Sequence, residues 1–171
     1  MIFINRDDLD YYVSLHGKNL TRLCLKLCRN SHEAENLYQE TWCRVVDKIH
    51  LYNKSKPFEP WLFTICVNIF KNLYKKAKNT PVTIFDGNEE MEWAINNAVE
   101  TKPIFNEEHD LLRQIINELD EKHRIVIILY YFSDYSLPEL ASIIRIPQGT
   151  VKSRLHKARE IIKRRLEDNE K

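Results

Sequence analysis

The chain has 171 residues, enough for one domain of ordinary size or two small ones. Its 26 basic and 25 acidic residues give a formal net charge of +1, so a strongly basic segment must be balanced by an acidic one. Only 3 glycines and a predominantly helical periodicity argue against β-rich folds and glycine-rich phosphate loops. Because no apolar run approaches membrane-spanning length and no signal-peptide pattern opens the chain, we expect a cytoplasmic protein.

Residues 5–79 form a helical block in which apolar side chains recur at helical spacing. The polar run from Asn30 to Glu33 is typical of a helix end followed by a new helix cap. We predict a first helix around Leu9–Val13 that ends near Gly17 or continues past it, a second near 20–29, a third over about 33–50 and a fourth over about 61–78.

The third predicted helix has two different faces. Its apolar side is expected to be buried and consists of Ala34, Leu37, Thr41, Val45 and Ile49. Its other side lacks the regular Glu-to-Lys spacing that supports an isolated helix and carries Glu35, Asn36, Gln39, Glu40, Arg44 and Asp47. This polar side either is simply solvated or docks on a partner protein.

The stretch from Lys54 to Lys78 interleaves basic and aromatic residues, a mixture that suits single-stranded nucleic acid. On the fourth helix the core side is predicted to contain Trp61, Leu62, Ile65 and Ile69. The opposing side, which is the better candidate for contacts, carries Asn68, Lys71, Asn72 and Lys75. Phe58 falls in the predicted loop between two prolines, and its pattern fits a core residue as well as a stacking surface.

The four cysteines are predicted to be ordinary buried or half-buried thiols: Cys24, Cys28, Cys43 and Cys66. Cys24 and Cys28 lie one helical turn apart, a spacing that could hold a metal ion, but no C-x-x-C pair or spaced His partner accompanies them. We therefore expect neither a metal site nor another cofactor. The six histidines are scattered, and there is no nucleophile elbow and no paired acids. We therefore expect that the chain is not an enzyme and has no small-molecule substrate.

Residues 79–108 are strongly acidic, with seven carboxylates opposed only by Lys102. Two prolines and Gly87 interrupt the stretch, which is typical of a linker and which we delimit as 80–108. A short helix is predicted around Met91–Val99.

Residues 109–171 form a second helical block. One predicted helix runs to Glu118, and Asp120 is expected to cap a very apolar helix that reaches Phe132. The run from Ser136 to Glu139 is a capping box with proline in the tolerated first turn. Two small helical domains joined by an acidic linker, hence an all-α fold, follow from these patterns.

The last predicted helix, over 148–166, is sharply two-sided. At about 100° per residue, one stripe contains Val151, Leu155, Ala158 and Ile162. The opposite side carries small, polar and basic residues. Between 145 and 166 there are eight basic residues, and Glu160 is the one acidic residue. A helix that docks by one face and offers such groups on the other suits a DNA major groove, although a basic helix is also found as a simple solvated face.

Both blocks together resemble the extracytoplasmic-function (ECF) sigma factors of bacterial RNA polymerase, members of the sigma-70 superfamily. In the first block the resemblance rests on Ala34–Trp42 and Pro57–Phe63. In the second it rests on Leu119–Phe132, Ser136–Ala141 and above all Ile146–Arg159. The resemblance implies sigma region 2 over 5–79 and sigma region 4, with its helix-turn-helix, over 109–171.

The resemblance also implies partners and site residues. The third helix would dock on the β′ clamp helices of core RNA polymerase through Asn36, Gln39, Glu40 and Arg44. The −10 element, with one base flipped out of the stack, would be bound by Asn53, Lys54, Lys56, Phe58, Asn68, Lys71 and Asn72. The second block would sit on the β flap and read the −35 element of promoter DNA, its bases with Lys152, Ser153, His156 and Lys157 and its phosphates with Arg154 and Arg159. A membrane-anchored anti-sigma factor is a further expected partner.

Four positions depart from the pattern of the family. Arg145 stands where glycine is usual, at a turn that often needs a left-handed backbone, and a non-glycine residue there costs about 1 kcal/mol. Pro138 replaces a common acid, Asp120 a common proline and Asn36 a common aspartate. Promoter preference therefore cannot be transferred from relatives.

Two other functional classes fit parts of the sequence. A stand-alone helix-turn-helix regulator would normally dimerise to span two half-sites, and no obvious dimerisation segment is visible. A pure interaction protein with a solvated basic helix would show no salt-dependent affinity for DNA.

Overall fold

The computed structural model describes residues 6–78 and 107–169, with side chains described over 9–76 and 110–169. The chain divides into two compact units, Met1–Val99 and Glu100–Lys171. All described secondary structure is helical, which confirms the predicted all-α class with two small domains. The short helix predicted around 91–99 and most of the predicted linker lie outside the described residues. No helix in the described ranges has the length and apolarity to cross a membrane.

The first unit contains three α-helices: α1 (Arg6–Leu27), α2 (Ser31–Lys48) and α3 (Phe58–Lys78). A short 3₁₀ turn, Ile49–Leu51, follows α2. Asn30 caps α2 as predicted, because its side-chain oxygen accepts a hydrogen bond from the Glu33 backbone N–H at 2.8 Å. All three α-helices pack on one another around a common apolar core.

Three predicted boundaries in this unit were wrong. The first and second predicted helices are one continuous helix, α1, which passes through Gly17. A side chain at Gly17 would meet the Tyr38 hydroxyl at 3.2 Å, so this glycine allows the close approach of α2 and does not end α1. Helix α2 ends at Lys48, which leaves Ile49 in the 3₁₀ turn and only half-buried. Helix α3 begins at Phe58 and not at Trp61.

Three of the four thiols are buried in this unit, as predicted: Cys24, Cys28 and Cys66. The sulfurs of Cys24 and Cys66 lie 3.9 Å apart, and burial raises the pKa of the Cys24 thiol well above its ordinary value. Cys43 is exposed, so the prediction was wrong there. Its position on the outer side of α2 explains the difference, because neither α1 nor α3 covers that side.

The second unit contains four α-helices: α4 (Glu107–Glu118), α5 (Glu121–Tyr131), α6 (Leu137–Ile144) and α7 (Gln148–Asn169). Helix α7 packs on the other three. The apolar run Ile125–Leu129 of α5 is entirely buried, and α5 packs on both α6 and α7. This unit therefore has an apolar core of its own.

Polar contacts join α4 to its neighbours. The buried Arg124 guanidinium donates from Nη2 to the backbone carbonyl of Leu119 at 3.1 Å and to that of Asn117. It thereby satisfies carbonyl groups that the end of α4 leaves without a helical partner. Arg165 of α7 pairs with Glu118 at the same end of α4.

Asp120 occupies the N-cap position of α5, but its side chain makes no capping hydrogen bond, so the predicted side-chain cap was wrong. Its backbone carbonyl accepts instead from the N–H groups of His123 at 3.0 Å and Arg124 at 2.9 Å. The φ angle of Asp120 is −54°, close to the value that proline fixes, so the proline that the resemblance leads one to expect here would also fit.

Candidate nucleic-acid interface

Helix α7 is two-sided in the way its sequence predicts. Val151, Leu155 and Ala158 are buried and fasten α7 to the unit, while Ile162 is half-buried. The opposite side is exposed and carries Lys152, Ser153, His156 and Lys157. The four predicted base-facing residues therefore share one accessible face of a helix that the core holds rigidly.

The turn before α7 sets the direction of this helix. Arg145 ends α6 in the left-handed conformation, with φ 55° and ψ 50°, and the Ile146 N–H donates to the Ala141 carbonyl at 3.2 Å. The sequence left the geometry of this turn open, and the structure shows a left-handed turn without glycine. At the other end of α6, the carboxylate of Glu139 accepts from the N–H of Ser136 at 2.8 Å and from its hydroxyl at 2.6 Å. These hydrogen bonds lower the pKa of Glu139.

Glu160 is an internal anion on the exposed side of α7 that carries the predicted base-facing residues. Its carboxylate lies 3.3 Å from Nζ of Lys157 and 3.5 Å from Nε2 of His156. Ser153 donates its hydroxyl to the Thr150 carbonyl at 3.0 Å, which holds the side chain against the helix. Lys152 is exposed and makes no ion pair among the described residues.

The two predicted phosphate-contacting arginines differ in exposure. Arg154 is half-buried and Arg159 is exposed. The Nε–H group of Arg159 donates to the hydroxyl of Tyr131 at 2.7 Å, and its guanidinium carbon lies 5.5 Å from the centre of that ring. The sequence interpretation missed Tyr131. Its only signal is a tyrosine pair that closes a very apolar helix, and the contact across 28 positions is not visible in the sequence.

His123 is a second residue that the sequence did not single out. It is buried beneath α7, and its Nδ1 atom has no hydrogen-bond partner within the described structure. Burial lowers the pKa of His123, and the nearby positive charges of Lys122, Arg154 and Lys157 lower it further against the opposing effect of Asp120. The neutral form of its ring is therefore favoured beneath the helix that carries the predicted base-facing residues.

In the first unit the loop between the 3₁₀ turn and α3 is closed by its own hydrogen bonds. The Tyr52 hydroxyl donates to the carbonyl of Lys56, and Oδ1 of Asn53 accepts from the Ser55 N–H at 3.0 Å and hydroxyl at 2.7 Å. Lys54 and Lys56 are exposed on this loop. The loop thus presents two cations, while the amide oxygen of Asn53 shapes the backbone.

Phe58 belongs to the core, which corrects its placement in a loop and favours the core alternative over a stacking surface. Only 5% of its surface is exposed, and its ring stacks on that of Tyr12 with centroids 4.1 Å apart. The rings of Tyr52 and Trp61 lie at 5.2 and 5.4 Å. The prolines on either side suggested a loop, but Phe58 starts α3 because Pro60 falls in the tolerated first turn.

The other predicted −10 residues on α3 lie on the side away from the core. Asn72 is exposed, and Asn68 and Lys71 are half-buried. The predicted core residues Leu62, Ile65 and Ile69 are buried, and Trp61 is half-buried. The structure therefore separates the two sides of α3 as predicted.

The predicted polymerase-docking side of α2 is exposed at all four positions, Asn36, Gln39, Glu40 and Arg44. Its polar groups contact one another along the helix at a spacing of four residues. Nδ2 of Asn36 is 3.2 Å from His32, Nε2 of Gln39 donates to Glu35 at 3.2 Å, and Arg44 pairs with Glu40 at 3.6 Å. Among the described residues no group of three or more His, Cys, Asp or Glu side chains is arranged to hold a metal ion.

Comparison with known proteins accounts for both units. Residues 12–80 match the family model described as Sigma-70 region 2, and residues 109–162 match that of Sigma-70, region 4. The chain is 31% identical to the ECF RNA polymerase sigma factor SigM of Bacillus subtilis (strain 168), over 91% of this chain and 93% of SigM. It is 29% identical to the ECF RNA polymerase sigma factor SigW of the same organism, over 96% of this chain and 94% of SigW.

Solved structures show the same fold at lower identity. The sigma factor RpoE in complex with the anti-sigma factor NepR from Bartonella quintana matches with a TM-score of 0.68 and 21% identity, over 94% of this chain and 98% of RpoE. CnrH in complex with the cytosolic domain of CnrY matches with a TM-score of 0.66 and 21% identity, over 96% and 91% of the two chains. With both sigma regions matched in order and more than nine-tenths of each chain shared with SigM, the chain belongs to the ECF family of RNA polymerase sigma factors.

Proposed function

We propose that this ECF sigma factor directs core RNA polymerase to specific promoters by reading the −35 element with α7 and the −10 element with the loop and helix at 53–78. The observation that carries the proposal is the geometry of α7. A buried apolar stripe fixes the helix, and Lys152, Ser153, His156 and Lys157 all face outward on its other side. A major groove admits such a helix, and side chains of these types hydrogen-bond to base edges.

The first unit would supply the second DNA contact. Lys54 and Lys56 on the loop, with Lys71 and Asn72 on the adjacent face of α3, offer cations and an amide to a displaced strand. Asn53 would act by holding the loop in shape and Asn68 by bordering the same face. Phe58 is left out of the proposal because its ring is covered by Tyr12.

Docking on core polymerase is assigned to the exposed side of α2, where Asn36, Gln39, Glu40 and Arg44 lie. These polar groups already contact neighbours on their own helix, so docking would replace one set of polar contacts with another. The contacts with polymerase would orient the unit without burying a large apolar surface. The second unit would sit on the β flap. The division into region 2 over 5–79, an acidic linker over 80–108 and region 4 over 109–171 is part of the same proposal.

The proposed role needs no catalytic site and no cofactor, and core polymerase supplies the chemistry. It also places the chain in the cytoplasm, with the polymerase. A membrane-anchored anti-sigma factor stays a prediction, and cell fractionation tests it. The tagged chain should sediment with membranes before the cell receives the inducing signal and be released afterwards. A chain that remains outside the membrane fraction under every condition would contradict that partner.

Runoff transcription with core polymerase on genomic fragments tests the main proposal and returns the promoter motif. We expect transcripts only when this chain is added, and weak binding of promoter duplex by the chain alone. Tight and specific duplex binding without core polymerase would instead favour a stand-alone helix-turn-helix regulator.

The assignment of faces is tested by Lys152→Ala and Lys157→Ala. Each should reduce use of the −35 element, since a base contact is worth about 1–3 kcal/mol, while core binding survives. Lys163→Ala is the matched control: this lysine is exposed on the same helix but lies outside the proposed site. Loss of core binding in the first two variants would show that the faces are wrongly assigned.

A further inference from the structure

Arg159 is held in place by two tyrosines at the end of α5. Its Nε–H group donates to the Tyr131 hydroxyl at 2.7 Å, and its guanidinium carbon lies 5.6 Å from the centre of the Tyr130 ring. The rings of Tyr130 and Tyr131 pack edge to face with centroids 5.0 Å apart. This contact between α5 and α7 fixes the position of a side chain that would otherwise sample many rotamers.

Most of the hydrogen-bond donors of Arg159 and Tyr131 remain unused in this contact. A guanidinium has five N–H groups, and the bond to Tyr131 uses only the one on Nε. Within the described residues the four N–H groups on Nη1 and Nη2 make no other hydrogen bond. The Tyr131 hydroxyl, which acts as acceptor towards Arg159, keeps its own hydrogen to donate. The pair therefore presents a forked cation and a neutral donor side by side.

We propose that Tyr131 and Arg159 together bind one phosphate of promoter DNA, with the Tyr131 hydroxyl and the Nη groups of Arg159 donating to the same phosphate group. This inference rests on the proposed function, in which α7 enters the major groove. Both side chains are accessible, since half of the Tyr131 surface is exposed. The donor set matches a phosphate, because guanidinium groups bind its oxygens with two N–H groups and a hydroxyl supplies a third donor.

Tyr131 adds more than one donor in this arrangement. Because it holds the guanidinium before DNA arrives, less rotamer freedom is lost on binding. A phosphate at this point fixes the register of α7 in the groove without reading sequence. Tyr131 on α5 thus joins the DNA interface, although it lies outside the helix-turn-helix formed by α6 and α7.

The experiment uses holoenzyme assembled from core polymerase and the full chain, with a promoter fragment obtained from the runoff assay. A series of fragments carries a single neutral methylphosphonate at successive phosphates of the −35 region. For the parent chain, we expect that neutralising one particular phosphate weakens binding about tenfold or more. For the Arg159→Gln variant, neutralising the same phosphate should no longer weaken binding. Tyr131→Phe keeps the ring and removes the hydroxyl, and it should weaken binding about two- to twelvefold and reduce the effect at that same phosphate.

A double-mutant cycle separates this contact from a merely structural role. In an Arg159→Gln background, Tyr131→Phe should have little further effect, because both side chains serve one phosphate. Tyr11→Phe, at an exposed tyrosine of the first unit, is the matched control and should bind as the parent does. Thermal unfolding of each variant reports any loss of stability.

Each failure has a different meaning. If Tyr131→Phe weakens binding equally with and without Arg159, or leaves the pattern of sensitive phosphates unchanged, the inference is wrong while the proposed function stands. If, in addition, Lys152→Ala and Lys157→Ala leave use of the −35 element unchanged, the proposed function fails as well.

Discussion

Two kinds of thiol are present at the residue scale. Cys43 is exposed, whereas Cys24, Cys28 and Cys66 are buried and the pKa of Cys24 is raised by burial. Since the thiolate is the reactive form, we expect an aromatic disulfide reagent to modify one thiol rapidly in the native chain and all four in denaturant. The Cys43→Ser variant should show no rapid phase. Rapid modification of more than one thiol in the native chain would contradict the buried placement.

His123 predicts a dependence of stability on pH. Because the pKa of His123 is lower in the folded chain than the ordinary value of about 6.5, the unfolded chain binds more protons between these two values. The free energy of unfolding therefore rises with pH in this window. The contribution of His123 to stability is complete above about pH 6.5 and is lost as the solution is acidified. Thermal unfolding at several pH values should show this slope in the parent chain and in a control, His50→Gln, and a smaller slope in His123→Leu. An unchanged slope in His123→Leu would refute it.

At the scale of elements, two turns use left-handed residues other than glycine. Arg145 has φ 55° and Asp134 has φ 54°. Aspartate tolerates this conformation better than arginine, because its short side chain forms local hydrogen bonds. Arg145→Gly should therefore increase the free energy of unfolding by about 0.5–1 kcal/mol, and Asp134→Gly by less. Urea denaturation of the two variants measures the difference, and an equal gain at both positions would argue against this account.

Two separate apolar cores make a prediction at the scale of the whole molecule. Chains spanning 1–79 and 107–171 should each fold alone and unfold cooperatively, since each contains a complete set of packed helices. Leu37→Ala should lower the stability of the first by about 2–5 kcal/mol, and Arg124→Met should destabilise the second through lost hydrogen bonds to α4. In the full chain, calorimetry should then show each variant shifting one transition only. A single transition shifted by both would contradict independent folding.

The sequence predicted what depends on periodicity and local chemistry. The stripe of α7 and the cap at Asn30 are set by residues close together in the chain, and both are confirmed. The sequence left the geometry of the turn at Arg145 open, and the structure shows it to be left-handed. Long-range packing was not predictable in the same way. Gly17 lies within a helix and leaves room for Tyr38, and Phe58 is covered by the ring of Tyr12. Tyr131 contacts Arg159 across 28 positions of the chain. These pairings depend on how helices cross, which no local pattern records.

In the proposed complex, the carboxylate of Glu160 would compete with DNA for two side chains of α7. This carboxylate lies within 3.5 Å of Lys157 and His156, so DNA of any sequence would have to displace it before making the two proposed contacts. A phosphate only replaces one anion by another, whereas a matched base edge adds hydrogen bonds that the carboxylate cannot offer in the same geometry. The cost therefore falls more heavily on random DNA than on a promoter. Glu160 would therefore increase selectivity by weakening the binding of DNA that lacks the promoter sequence.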